Sequence, residues 1–240
     1  MTKKIYISPS DQVRNTYAVG GTNEAAECRR IAKATVAALK RCGFAAKANV
    51  TDEMESRVAE SNAWGADLHV AIHTNAFNGE VQGTRLFSYD TTGEGYKACK
   101  AVMATLAPIT PGESDNIKAW PGLYEVGHAD APTVYIEVAF HDNEEEAAWI
   151  IANTEEIGEA ICKGICNYYG VPYIAQQAQE QPKEAETKVY NTLEEVPGYA
   201  QATIQKLLDK GLLKGTTDGL KLSEDMIRIF TINDRAGLYD

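Results

Sequence analysis

Two short runs, residues 67–73 (DLHVAIH) and 133–138 (TVYIEV), are so rich in β-branched and apolar residues that they read as strands buried on both faces. Such strands need helices over the sheet to cover them, and the segments between them supply these. From Asn23 the positions Cys28, Ile31, Ala32, Thr35 and Leu39 recur at helical spacing, with Gly43 as a stop. The same reading gives strands at 4–8, 45–50 and 84–89, and helices at 53–62, 95–106, 144–154 and 157–169. This is an α/β domain: a mixed sheet flanked by helices over residues 1–173.

At residues 174–187 the pattern stops. The stretch from Ala175 to Glu186 is mostly Gln, Glu and Ala without a β-branched or aromatic residue, so it can bury little and is expected to be a linker. Limited proteolysis should therefore cut first between Ala175 and Lys188. Resistance there, under conditions that nick other loops, would show an ordered segment. Residues 188–240 follow as a small helical unit, with a helix at 200–210 stopped by Gly211 and another capped by Ser223.

Composition excludes several classes of function. With 23 Lys+Arg against 34 Asp+Glu the net charge is −11, which argues against a nucleic-acid partner. The apolar stretches are a few residues long, far short of the ~20 needed for a transmembrane helix. The start, MTKKIYISPS, reads as a first strand rather than a signal peptide, so synthesis in the cytoplasm is expected, with any work outside depending on a separate release. Five scattered cysteines form no Cys-x-x-Cys pair and read as small core residues in a reducing compartment.

Three residues draw attention as chemistry. His73 ends a strongly apolar strand, where open α/β sheets collect ligands. His69, four residues earlier, is ~13 Å away along a strand, too far to share one ion, and reads as structural. Glu137 lies inside the run TVYIEVAF, where a carboxylate is costly unless paired, protonated or metal-bound, and where burial moves its pKa toward that of a general base. Glu24 opens the first long helix, a position that favours an acid in any case.

Taken together, a first strand ending in Ser-Pro, Thr-Asn-Glu at the next helix, Ile-His-Thr-Asn-Ala and Ile-Glu-Val-Ala-Phe-His-Asp-Asn resemble the zinc-dependent N-acetylmuramoyl-L-alanine amidases, a family of bacterial cell-wall hydrolases and phage endolysins. The resemblance spans about residues 3–172. It implies zinc as cofactor, peptidoglycan as substrate, Glu24 and His73 as zinc ligands and Glu137 as the catalytic carboxylate. Asn75 is implied as a substrate contact by its position alone, as is the loop around residues 120–125. Such an enzyme would act on the cell wall after release. Family members usually end strand 1 with Asp-Pro-Gly-His-Gly, whose histidine is a zinc ligand; here Ser8-Pro9-Ser10-Asp11-Gln12 puts Asp11 at that place, with Gln12 or His141 as substitutes. A non-catalytic cell-wall-binding protein on the same fold is the alternative, and a zinc hydrolase acting on another amide is a third. The C-terminal unit resembles a single surface-layer-homology motif, which implies binding to a secondary cell-wall polymer; the equal alternative is a helix-loop-helix that packs on the first domain or mediates self-association.

Overall fold

The computed structural model describes residues 2–50, 53–114, 116–176 and 188–239. They group into two compact units, Met1–Gln176 and Gln177–Asp240. Most of the expected linker lies outside the described residues.

In the first unit the order is β1 (Lys4–Pro9), α1 (Glu24–Arg41), β2 (Ala45–Ala48), α2 (Met54–Trp64), β3 (Leu68–Asn75), β4 (Arg85–Ser88), α3 (Glu94–Leu106), β5 (Asn116–Ala119), α4 (Tyr124–His128), β6 (Thr133–Phe140), α5 (Glu144–Ala152) and α6 (Thr154–Tyr169). The six strands form one mixed sheet in the order β2-β1-β3-β6-β4-β5. β2, β1, β3 and β6 run parallel, while β4 joins β6 antiparallel and carries β5 parallel to itself.

The sheet has two unlike faces because side chains alternate along each strand. Ile5, Ile7, Leu68, Val70, Ile72, Val134, Ile136, Val138 and Leu86 point one way and form the core. α1, α3 and α6 cover that face, contributing Ile31, Leu39, Val102, Leu106, Ile161 and Ile165. The other set, including Ser8, His69, His73, Tyr135 and Glu137, faces α2 and the five-residue α4. These two helices cover only part of the sheet. α1 and α2 leave on opposite faces, on either side of β2 in the chain, so the carboxyl end of β1 lies at a crevice of the kind that binds ligands in open α/β sheets.

The second unit holds α7 (Gly198–Asp209) and α8 (Glu224–Arg235) around a core of Tyr190, Val196, Ala200, Ile204, Leu207, Leu222 and Ile227. Ser223 caps α8 by accepting from Met226 N at 3.3 Å. All five cysteines are buried and free. No helix among the described residues is long and apolar enough to cross a membrane.

Candidate active site

The site is assembled at the carboxyl ends of β1, β3 and β6. His73 and Glu137 are register partners on adjacent parallel strands, so both side chains leave the same face. Glu24 arrives from the first turn of α1. That helix starts where it does because the Asn23 side chain accepts from Ala26 N at 2.9 Å, a standard N-cap. The loop before it folds back on itself, with Glu24 N donating to Asn15 O and Tyr17 N donating to Thr22 O. Gly20 and Gly21, at φ of 81° and 61°, make the reversal that other residues would resist.

Glu24 Oε1 then lies 2.9 Å from His73 Nδ1, and Gln12 Nε2 lies 3.4 Å from the same nitrogen. Asn15 bridges these two side chains, donating its amide N–H groups to Gln12 Oε1 at 2.8 Å and Glu24 Oε2 at 2.6 Å. Three side chains therefore converge on one edge of the His73 ring. The opposite edge is held from behind: His73 Nε2 lies 3.1 Å from Glu125 Oε2. Glu125 is itself fixed by His69 Nε2 at 3.3 Å and by the Ser8 hydroxyl, which in turn accepts from Arg57 Nε at 2.9 Å. Tyr135 stacks on the His73 ring at 4.6 Å.

The electrostatics follow from this arrangement. Burial works against a charged His73, yet the hydrogen bonds it donates to Glu125 and Glu24 outweigh it and raise its pKa to about 10. Burial would also raise Glu24, but the bond and charge of His73, with Asn15 and Ser10, hold it below the usual range. Glu125 is likewise held down by His69 and His73 against the effect of burial. Glu137 differs: burial dominates, and its pKa rises to about 7. Its Oε2 is buried without a hydrogen-bond partner. An orphaned carboxylate oxygen beside a histidine whose Nδ1 edge is shared with a second carboxylate and an amide suits a site that holds a cation and a reacting water.

Of the three residues considered for the absent histidine, only Gln12 stands at this edge. The Asp11 carboxylate is turned toward α2, where it accepts from Met54 N at 3.1 Å and lies 3.5 Å from Arg57 Nη1. The α2 N-cap, Glu53, makes no side-chain bond to its helix, so Asp11 acts as a cap supplied from another element. The His141 ring stacks on Tyr17, and its Nδ1 lies 3.0 Å from both Thr74 Oγ1 and Thr74 O. Asn75 is at the end of β3, lining a cavity beside the site. The 120–125 stretch is divided: Trp120 is exposed, while Glu125 is buried on α4 and faces the histidines rather than a substrate. Nothing in Leu123-Tyr124-Glu125-Val126 marks it as an inward-facing acid, and sequence reading misses it.

A second group, Cys42, Cys162 and Cys166, brings three thiols together, with Sγ separations of 3.7 and 4.0 Å from Cys162 to the other two. They lie inside the apolar core between α1 and α6, where burial pushes the Cys166 thiol up to about 12 and Cys162 higher still. Thiols so disfavoured as thiolates behave as core residues, as their helical spacing suggests.

Residues 5–167 match the Amidase_3 family, N-acetylmuramoyl-L-alanine amidase. The chain belongs to this family. Among solved structures it is similar to the N-acetylmuramoyl-L-alanine amidase AmiC2 of Nostoc punctiforme, with a TM-score of 0.64 and 21% identity over 70% of this chain and 97% of that one. It is also similar to the catalytic domain of the CD27L endolysin targeting Clostridia difficile, with a TM-score of 0.60 and 19% identity over 69% of this chain and 97% of that one. An uncharacterized cell wall amidase of Bacillus anthracis is 26% identical over 131 residues, or 50% of this chain. The chain spans only 24%, 46% and 58% of the lengths of the three curated relatives it matches. The fold expected from the sequence, a mixed sheet flanked by helices, is the fold of these amidase domains.

Proposed function

We propose that the chain is a zinc-dependent amidase that hydrolyses the bond between the lactyl group of N-acetylmuramic acid and L-alanine in peptidoglycan. The observation that carries this reading is the orphaned, proton-competent Glu137 carboxylate, register partner of a histidine whose Nδ1 edge faces Glu24 and Gln12. Glu24, His73 and Gln12 would hold the metal, the Gln12 amide presenting its oxygen after a half-turn about its last bond. Zinc held there supplies polarisation of the scissile carbonyl and a lowered water pKa. Glu137 takes the water's proton and returns it to the departing alanine nitrogen, a role suited to its pKa near 7. Glu125 keeps the Nε2 proton of His73 in place, leaving Nδ1 as the donor to the metal.

Product analysis tests the reading. Digestion of purified peptidoglycan should release peptides with a new N-terminal L-alanine, in step with one bound zinc per chain. Cleavage at another bond, or no cleavage by a zinc-loaded protein, would overturn it; the latter outcome favours a wall-binding protein on this fold. For the support residue, Glu125→Ala should weaken zinc binding by about 10- to 100-fold in a chelator competition. A folded variant within threefold of wild type would remove Glu125 from that role.

We propose that the protein acts on the cell wall after release. The C-terminal unit would serve wall binding or self-association, supported by Ile229, Ile232 and Leu238, which it leaves exposed.

A further inference from the structure

The site face of the sheet does not end at Glu137. Arg85 on β4 is directly opposite Glu137, Phe87 is opposite Tyr135, and Asn116 and Lys118 on β5 are the register partners of Arg85 and Phe87. All lie on one face by strand alternation. Neither α2 nor α4 covers this extension where the amino ends of β4 and β5 adjoin the carboxyl ends of β3 and β6, and a cavity of about 420 Å³ opens there. Asn75, Phe77, Arg85, Phe87, Lys118 and Phe140 line it.

Its charge is opposite in sign to the net charge of the chain. In a chain of net charge −11, this cavity has two cations and no carboxylate among its described lining residues. The Arg85 guanidinium is fixed by the carbonyls of Thr84, Glu113 and Gln82 at 2.9, 2.9 and 3.2 Å, which hold its direction without cancelling its charge. Lys118 is exposed and has no ion-pair partner among the described residues. Phe77 stands 76% exposed at the rim, and Phe87 is flanked by the half-exposed Trp120 at 5.3 Å. A fixed cation, a free cation and aromatic walls suit an extended ligand with carboxylates on a partly apolar backbone.

We infer that the cavity across β4 and β5 is the subsite for the peptide arm of the substrate, with Lys118 and Arg85 receiving its free carboxylates. The inference rests on the amidase reading and gives the substrate a direction. Once the lactyl carboxyl has become the scissile amide, the aminosugar arm carries no acid, so free carboxylates occur only on the peptide arm. With the scissile bond at Glu137, the peptide extends over Arg85 and Lys118, and the glycan leaves on the β1 side.

Binding measured without turnover tests this. Glu137→Gln protein, kept in zinc-containing buffer, is titrated with N-acetylmuramoyl-L-alanyl-D-glutamate and with its doubly amidated form. The diacid should bind about tenfold more tightly at low salt, with the preference shrinking as ionic strength rises. Adding Lys118→Glu should weaken the diacid about tenfold, leave the diamide within twofold, and so abolish the preference. Equal weakening of both ligands would put the glycan in this cavity and overturn the inference, as would a preference that survives the substitution or a diacid that does not bind. Turnover by the wild-type protein is followed separately: its absence would overturn the amidase reading, while the binding comparison still decides the subsite.

Discussion

Glu137→Gln is expected to lower turnover at least about 10²-fold while making the metal-free protein more stable at pH 8. Both effects come from the same buried carboxylate. Removing a general base costs ~10²- to 10⁴-fold, because the proton no longer leaves the water in the transition state. The stability effect has a definite sign. Burial raises the folded-state pKa of Glu137 to about 7, against 4.5 for a glutamate exposed to water. Above pH 4.5 the unfolded chain ionises freely while the folded one resists, so the native state is progressively penalised until the pH passes about 7. That penalty is on the order of 3 kcal/mol when complete. An amide of the same shape does not ionise, although it leaves an unpaired N–H where Oε2 was orphaned, so the net gain should be about 1–2 kcal/mol. Urea unfolding after chelation should show the variant ahead of wild type at pH 8 and behind it by about 1–2 kcal/mol near pH 4.5, where only the unpaired N–H is left. A stability difference that is the same at both pH values would mean that Glu137 ionises normally, and retention of more than a tenth of wild-type kcat would remove it as the base.

The part of the site that was legible in the sequence is the part carried by strands. His73 and Glu137 stand out because a polar residue inside DLHVAIH or TVYIEVAF contradicts its surroundings, and strand register then brings them together. Glu24 was legible only through resemblance, since an acid after an Asn N-cap has an adequate local explanation. Two elements escaped. β5, Asn-Ile-Lys-Ala, is a four-residue edge strand with little apolar alternation, and α4 is a five-residue helix without a periodic face long enough to detect. Missing α4 meant missing Glu125, whose burial depends wholly on tertiary contacts with His69, His73 and Ser8. The same limit applies to the ligand after strand 1. Counting positions from the Ser-Pro motif selects Asp11, but β1 continues to Pro9 and Ser10 N still donates to Ile72 O at 2.8 Å. The chain leaves the sheet one residue later than counting implies. Asp11 then meets the start of α2, and Gln12 meets His73.

That one-residue difference yields the sharpest expected result for the metal. Gln12→Ala should weaken zinc binding by at least tenfold, whereas Asp11→Ala should leave it within about threefold and instead destabilise the fold. Losing the bond to Met54 N removes a helix cap worth about 1 kcal/mol, and Arg57 loses a carboxylate partner as well. The charge count separates the two assignments further. An Asp11 ligand would put two carboxylates and one imidazole on the ion, making it a poorer Lewis acid and moving the activity optimum to higher pH. Glu24, His73 and Gln12 carry one negative charge, the same as one glutamate with two histidines, so no such shift is expected. What an amide oxygen lacks is the donor strength of imidazole, so zinc should be stripped by chelators more readily than from a site with two histidines. Gln12→His should reverse this and tighten binding, with little change in the pH profile. These constants come from competition with a zinc-sensitive chelator. If Asp11→Ala released the metal while Gln12→Ala kept it, the ligand would be Asp11, and its bonds to α2 would have to break when zinc binds.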